Sequence, residues 1–122
     1  MIKGIGIDIC SIERIKTAVS HSGFRKRVFS PEEEEYADKS KNSIEHLAAA
    51  YAAKEALAKA GGWGIAKIGL DACKVLHDES GAPYFEFSAK IKDILKKREI
   101  KNVFLTITHD AGIAAAVVVL EG

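Results

Sequence analysis

The chain is poor in the residues that build disulfide frameworks and zinc sites. Cys10 and Cys73 are its only cysteines, and two thiols without CxxC spacing make neither a disulfide scaffold nor a cysteine-based zinc site. The four histidines share no metal-ligand spacing, so they do not favour zinc either. These absences predict a reduced protein, which we expect in the cytoplasm.

Long apolar runs are also absent. The longest one, residues 113–120, has eight residues and is too short to span a bilayer. Asp8 interrupts the apolar run near the N-terminus, which is not typical of a signal peptide. We therefore expect no association with a membrane.

Neither sign of charge dominates, and aromatic residues are few. Eighteen Lys and Arg oppose 17 Asp and Glu, and there are nine aromatic residues: five Phe, three Tyr and one Trp. Such a surface is poorly suited to nucleic acid, which we do not expect as a partner. The charge is nevertheless uneven, because residues 13–27 carry five basic side chains against one acid and residues 90–101 carry six against two.

What the chain does contain is 48% apolar residues in 122 positions, enough for one domain over residues 1–122. Strand and helix patterns mix without a regular βαβ period, which favours an α+β fold with a mainly antiparallel sheet. The predicted strands are residues 2–9, 67–76, 84–87, 103–108 and 113–120, the last four forming two hairpins. The last strand shows no polar alternation, so we expect both of its faces to be covered, one of them by another subunit.

Serine caps mark the predicted helices. One begins after Ser11 and ends at Ser22 and Gly23. Another begins at Ser30 with a capping box. An alanine-rich helix over residues 44–60, capped by Ser43 and stopped by Gly61, is expected to pack closely on a neighbour. A last helix covers residues 88–98.

Asp8 is the first candidate for chemistry. Gly4 and Gly6 begin like a dinucleotide fingerprint, but Ile9 stands where the third glycine belongs, so crowding near the strand explains the glycines better. A carboxylate inside an apolar run needs an ionic partner, a hydrogen-bond network or a metal. A structural salt bridge and a functional site both stay open for Asp8.

Glu55 and Lys59 are the second candidate. They lie four residues apart on one helix face, which is also the geometry of an ordinary ion pair. His109 follows a β-rich run, and a plain turn residue is its simpler interpretation. If a metal binds, two carboxylates without a cysteine pair favour Mg²⁺ completed by water and substrate phosphate.

The order and spacing of several motifs match a known family. They are Gly6-Ile7-Asp8-Ile9, Ala52-Ala53-Lys54-Glu55-Ala56 with Lys59, Gly62-Trp63-Gly64, Gly81-Ala82-Pro83-Tyr84 and Thr106-Ile107-Thr108-His109. With these motifs the chain resembles the holo-acyl-carrier-protein synthases, the small phosphopantetheinyl transferases, over essentially its whole length. Each motif alone is weak, but together and in order they are specific.

The resemblance implies an α+β phosphopantetheinyl transferase domain that forms a homotrimer with sites at subunit boundaries. It implies transfer of 4′-phosphopantetheine from coenzyme A to a serine of acyl carrier protein, with release of adenosine 3′,5′-bisphosphate, in fatty acid biosynthesis. Asp8 and Glu55 match the acids that bind Mg²⁺, and Lys59 matches a lysine near the pyrophosphate. Other matches are Gly62, Gly64 and His109 in the coenzyme A site, and the basic segment with Arg14 and Arg25 where the carrier protein docks.

Several positions depart from that family. Ala50 stands where many members carry an arginine, Tyr51 replaces a phenylalanine and Trp63 a frequent threonine, while Thr106 and Thr108 replace serines. For the lost arginine we expect other coenzyme A phosphate contacts, from Lys54 or Lys67. The proton acceptor for the carrier serine stays open among Asp8, Glu55 and a magnesium-bound water.

Two rival functions remain at this point. The same Asp8 and Glu55 pair suits another Mg²⁺-dependent phosphoryl-transfer or nucleotide-hydrolysing enzyme. The basic segments alternatively suit a non-catalytic assembly domain that binds nucleic acid, although the low aromatic content argues against it.

Overall fold

The computed structural model describes residues 1–64 and 69–122. In chain order the elements are β1 (Ile2–Ser11), α1 (Ile12–Val19), α2 (Ser22–Val28), α3 (Pro31–Asp38), α4 (Ser43–Gly61), a 3₁₀ turn (Leu70–Ala72), β2 (Cys73–His77), β3 (Pro83–Phe87), α5 (Ala89–Lys97), β4 (Asn102–Asp110) and β5 (Ile113–Glu121). Lys67 and Ile68, the first two residues of the predicted strand 67–76, lie outside the described residues.

All the described strands pair antiparallel, as an α+β fold with antiparallel sheets requires. They form two sheets, one in the order β1-β5-β4 and one consisting of the β2-β3 hairpin. Ala111 and Gly112 form the turn between β4 and β5. Their φ angles are positive, 50° and 78°, as in the tight turns favoured by twisted hairpins. His109 therefore belongs to β4 and is not a turn residue.

Three predicted helix boundaries are wrong. Ser22 and Gly23 do not end α1 but begin the separate helix α2. Ser43 is the first residue of α4 and not its cap, since Asn42 holds the cap position without a side-chain hydrogen bond. Gly61 is the last residue of α4 and not its stop, because the C-terminal cap is Gly62, whose φ of 69° is left-handed and costs glycine little.

Helix α4 lies backbone to backbone on β1, which confirms that crowding explains the glycines of that strand. A Cβ atom added to Gly6 would overlap the carbonyl oxygen of Ala56 and stand 2.6 Å from the Ala60 nitrogen. One at Gly4 would overlap the Ala60 carbonyl group. We call these facing residues, Gly4 and Gly6 with Ala56 and Ala60, the glycine-alanine seam.

The three-stranded sheet has one covered and one open face. Every second residue of β5 from Ala114 to Leu120 is buried against α4, whereas the opposite face exposes apolar side chains of β1 and β4, including Ile9 at 65% and Phe104 at 54%. Within the chain, the prediction that both faces are covered therefore holds for one face only. No helix in residues 1–64 or 69–122 combines the length and apolar character needed to cross a membrane.

Adding one methyl group at Gly6 tests whether the close contact in the glycine-alanine seam contributes to stability. Gly6→Ala is expected to lower the free energy of unfolding by about 1–3 kcal/mol, since the added Cβ forces α4 and β1 apart. Urea denaturation measures the change, with Gly23→Ala as the control because its added Cβ would meet only the flexible end of Arg27, at 3.2 Å. Equal stabilities of the Gly6 and Gly23 variants would contradict the seam.

Candidate active site

A cavity of about 420 Å³ opens between β1, α1 and α4. Its polar lining comes from both sides of the glycine-alanine seam, since Asp8 stands on β1 and Glu55 and Lys59 on α4. The described residues that line it are Asp8, Ile9, Cys10, Ser11, Arg14, Ile15, Ala18, Phe24, Tyr51, Glu55 and Lys59. The structure thus brings the three predicted catalytic residues into one cavity.

Asp8 has an ionic partner across the seam. The Lys59 Nζ donates to Asp8 Oδ1 at 2.9 Å and to the carbonyl oxygen of Ile7 at 3.2 Å. The Asp8 side chain is 14% exposed and that of Lys59 56%. The hydrogen bond to Asp8 raises the pKa of Lys59, so the lysine is a cation at neutral pH.

Tyr51 is a cavity residue that the sequence did not predict. It precedes Glu55 by one helical turn, so the two side chains lie on the same face of α4. Burial, and after it the neighbouring Glu55 carboxylate, raises the pKa of Tyr51 to about 12. The hydroxyl is therefore a neutral donor beside Glu55, and the tyrosine-to-glutamate spacing was the available signal in the sequence.

Cys10 lines the cavity as a neutral thiol. Burial, followed by the charge of Asp8, raises its pKa to about 11. Because the thiolate is the reactive form of cysteine, Cys10 is not an activated nucleophile. Both cysteines of the chain are free.

The two arginines predicted for docking lie in different surroundings. Arg14 is exposed on the cavity rim, in the first turn of α1 where its backbone N–H donates to the Ser11 cap at 3.3 Å. Arg25 instead pairs with Glu34 and lies 3.7 Å from Asp38. Two acidic side chains of α3 thus surround the Arg25 guanidinium, and its part in docking stays a prediction.

Lys54 is not placed to bind a ligand phosphate, which corrects that prediction. Its side chain is fully buried, and its Nζ donates to Glu33 Oε1 at 2.7 Å, to the Leu70 carbonyl at 2.7 Å and to the Val28 carbonyl. Burial lowers the pKa of Lys54 while Glu33 opposes that shift. All three ammonium protons have protein partners, so this cation is structural.

Glu33 completes the same buried network. Besides Lys54, its carboxylate accepts from the Ser30 nitrogen at 2.9 Å and from the Val75 nitrogen at 3.0 Å. The Ser30 bond belongs to the predicted capping box of α3, which the structure confirms. One carboxylate thus joins α3, α4 and β2.

The remaining predicted ligand residues lie away from the carboxylate cavity. His109 lines a different cavity and stands 3.7 Å from Glu45. Gly62 and Gly64 follow the end of α4, with open space around the position of a Cβ atom. Arg98, which the sequence did not single out, donates to the Gly61 carbonyl and lies 5.1 Å from the Trp63 ring centroid, so it supports this turn.

The donor set of the cavity fits Mg²⁺ with an incomplete protein shell. Among the described residues no three His, Cys, Asp or Glu side chains are grouped to hold a metal, and the carboxylates in the cavity lining are those of Asp8 and Glu55. Mg²⁺ is commonly held by one or two carboxylates, water and substrate phosphates. Lys59 beside Asp8 adds a cation to the same cavity.

Comparison with known proteins places this geometry in a family. The family model of the 4′-phosphopantetheinyl transferase superfamily matches residues 4–118. The chain belongs to this superfamily. Its relatives include the holo-[acyl-carrier-protein] synthases of Enterococcus faecalis, 42% identical over 99% of this chain and 98% of that protein, and of Fusobacterium nucleatum, 37% identical over 98% and 99%.

Solved structures agree with the assignment to the 4′-phosphopantetheinyl transferase superfamily. The holo-[acyl-carrier-protein] synthase of Neisseria meningitidis is 33% identical and superimposes over 100% of both chains with a TM-score of 0.92. That of Helicobacter pylori in complex with coenzyme A is 35% identical, with a TM-score of 0.79 over 96% of this chain and 99% of the other. These similarities confirm the family resemblance and the α+β fold.

A substitution at Lys54 tests how much the buried Lys54–Glu33 pair contributes to folding stability. Lys54→Met leaves the Glu33 carboxylate buried without its cation and is expected to cost about 3–5 kcal/mol of folding stability. Chemical denaturation measures the loss, and the exposed Lys39→Met, from an ion pair on the surface of α3, is the control. A Lys54→Met protein as stable as the control would refute the buried network.

Proposed function

We propose that this chain transfers 4′-phosphopantetheine from coenzyme A to a serine of apo acyl carrier protein, for fatty acid biosynthesis. The product besides holo carrier protein is adenosine 3′,5′-bisphosphate. The observation that supports this most is the meeting of Asp8, Glu55 and Lys59 in one cavity, in a chain of the superfamily. The two free cysteines fit a reducing cytoplasm, and residues 1–122 act as one domain.

Phosphoryl transfer depends chiefly on positioning and on cations around the reacting phosphate. Asp8 and Glu55 would hold Mg²⁺, which when bound neutralises charge on the pyrophosphate oxygens of coenzyme A. Lys59 adds a second positive charge, since its hydrogen bond to Asp8 raises its pKa. The neutral Tyr51 hydroxyl lies one helical turn before Glu55 and adds a hydrogen-bond donor to the cavity.

The nucleophile is the hydroxyl of the carrier serine, so the chain supplies a proton acceptor and no nucleophile of its own. Lys59 is protonated and cannot accept that proton, but its ammonium group can stabilise or protonate the leaving phosphate. Asp8 and Glu55 are the basic groups of the cavity, and one of them takes the serine proton directly or through water. Burial raises the pKa of Cys10 to about 11, so its thiol is not the nucleophile.

We further propose a homotrimer in which neighbouring copies complete each site. The exposed apolar face of β1, β5 and β4 supports this, because such a patch usually marks a protein interface. Glu55 and Glu45 lie ten residues apart on α4, and Glu45 contacts His109 in the other cavity. In the proposed trimer, one coenzyme A molecule contacts the Asp8 cavity of one copy and the His109 cavity of its neighbour.

The transfer itself is measured by mass spectrometry of apo carrier protein incubated with the chain, coenzyme A and Mg²⁺. We expect the gain of one phosphopantetheine and an equal yield of adenosine bisphosphate. Asp8→Asn and Glu55→Gln should each reduce kcat by about 100-fold or more, as expected for loss of a phosphate-neutralising metal, while the exposed Glu13→Gln on α1 should not. Adenosine bisphosphate released without carrier protein would indicate a hydrolase instead.

Arg14 gives a test of carrier docking. Arg14→Glu reverses the charge on the cavity rim and is expected to raise the KM for the acidic carrier protein by about tenfold or more. The KM for coenzyme A should stay nearly constant. Lys96→Glu, which changes the charge by the same amount on α5, is the control. A rise in the KM for coenzyme A alone would contradict a role of Arg14 in carrier docking.

The open sheet face gives a test of the trimer. Phe104→Glu places a charge in this apolar face, so sedimentation should show a trimer for the native chain and monomers for the variant. Transfer activity should fall with the trimer because each site then lacks its neighbour's contribution. Tyr84→Glu, an exposed aromatic residue on the other sheet, should remain trimeric, and an active native monomer would contradict the assignment.

A further inference from the structure

A groove of about 420 Å³ lies at the end of α5, where the chain turns toward β4. It belongs to the basic segment of residues 90–101, to which the proposed transfer reaction gives no role. None of its lining residues lines the Asp8 cavity. We call it the lysine groove, and its described lining is Lys92, Leu95, Lys96, Glu99, Ile100 and Lys101.

The apolar floor of the lysine groove follows from the way in which α5 ends. The Ile100 nitrogen donates to the Leu95 carbonyl at 2.9 Å, and the Glu99 nitrogen donates to the Lys96 carbonyl at 3.0 Å. These two bonds form a Schellman motif, which frequently brings apolar residues before and after the turn into contact. Leu95 and Ile100 are each 7% exposed, so the folded chain holds both of them in place.

Three exposed lysines surround this floor, Lys92 and Lys96 from α5 and Lys101 from the segment after the turn. None of them forms an ion pair with an acidic side chain in the part of the chain that the structure describes. Like charges four residues apart destabilise a helix, so Lys92 and Lys96 repel each other. The helix dipole favours Lys96 in the last turn, but it does not account for Lys92.

A neighbouring pair on α5 shows the ordinary arrangement of charges. Asp93 and Lys97 are also four residues apart, and their side chains form an ion pair at 3.0 Å. Neither residue lines the lysine groove. The helix therefore has attraction on one face and uncompensated repulsion on the face at the groove, and an anion bound there would offset that repulsion.

The size and composition of the lysine groove limit what it can bind. Small-ligand sites have volumes of roughly 300–1,000 Å³ and mostly apolar walls with a few charged groups, as this groove has. A stable protein interface takes about 20–30 residues from each partner, far more than the six that line the groove. A small inorganic anion would meet the ammonium groups but would leave the apolar floor in water.

We propose that the lysine groove binds a free alkyl carboxylate, with the chain on Leu95 and Ile100 and the carboxylate among the lysine ammonium groups. The methylene stems of the lysines lie along the chain while their charged ends stay in water. Glu99 is the acid of the lining, and it weakens the binding without cancelling three lysines. The proposal does not depend on the proposed function, because the groove shares no residue with the Asp8 cavity.

Calorimetry on the full chain, with sodium decanoate as the probe, tests the site without requiring turnover. We expect one decanoate to bind per chain. Affinity should increase from hexanoate through octanoate to decanoate, by up to about fourfold for each added methylene. Acetate has the charge without the chain and should not bind, while octanol has the chain without the charge and should bind at least about tenfold more weakly than octanoate.

Substitutions on the rim should change the affinity in opposite directions. Lys92→Gln and Lys96→Gln should each weaken decanoate binding by about threefold, as expected for loss of an exposed ionic contact, and the double variant by about tenfold. Glu99→Gln removes a repulsion and should strengthen binding by about threefold. Lys97→Gln is the matched control, since Lys97 pairs with Asp93 outside the groove, and it should bind like the native chain. All four substituted positions are exposed, so these variants should fold.

Amide NMR spectra of the full chain locate the bound decanoate. The signals of residues 92–101 should shift, and those of Asp8 and Glu55 should not. Shifts confined to the Asp8 cavity, or to the open sheet face around Phe104, would overturn the proposal by placing the ligand elsewhere.

Three further results would overturn the proposal. The first is equal decanoate affinity in the native chain and in the variant that combines Lys92→Gln with Lys96→Gln. The second is octanol that binds as tightly as octanoate, since the lysines would then contribute nothing. The third is binding to phosphatidylglycerol vesicles without binding of free decanoate, which would make an anionic membrane surface the partner. Transfer to carrier protein is measured separately, so its failure would reject the transferase and leave the groove standing.

Discussion

The close contact between β1 and α4 is the constraint on which the site depends. Gly4 and Gly6 have no Cβ atoms, so the backbone of the helix at Ala56 and Ala60 rests directly on the strand. That contact brings Lys59 to within 2.9 Å of Asp8 and sets Glu55 in the same cavity. Any larger side chain in the seam would separate the carboxylates that share one ion in the proposed reaction.

A second constraint holds the opposite side of α4. Lys54 and Glu33 form a buried ion pair whose remaining hydrogen-bonding groups all meet backbone partners. Such a pair adds little net stability but strongly penalises other arrangements of the same elements. It therefore fixes the rotation of the helix, and with it the direction in which Glu55, one residue further on, points. Lys54, which supports the fold, and Glu55, the proposed metal ligand, are thus adjacent residues of one helix.

The features that could be predicted from the sequence are those that depend on residues close together in the chain. Asp8 in a glycine-containing strand, Glu55 and Lys59 one turn apart, and the capping box at Ser30 all follow from short-range spacing. Burial of Lys54 and the pairing of Arg25 did not follow, because both depend on α3, which meets these residues only in the folded chain. The sequence also did not predict that His46, His77 and His109 line one cavity, because three elements distant in sequence supply these side chains.

The central claim is that Asp8 and Glu55 hold one metal ion against the pyrophosphate of coenzyme A. A crystal structure with coenzyme A and Mn²⁺, located by its anomalous signal, tests this directly. The account predicts a single ion with oxygen ligands from both carboxylates and from the pyrophosphate, at roughly the 2.0–2.2 Å of hard-cation sites. An ion bound away from either carboxylate, or coenzyme A lying outside this cavity, would contradict it.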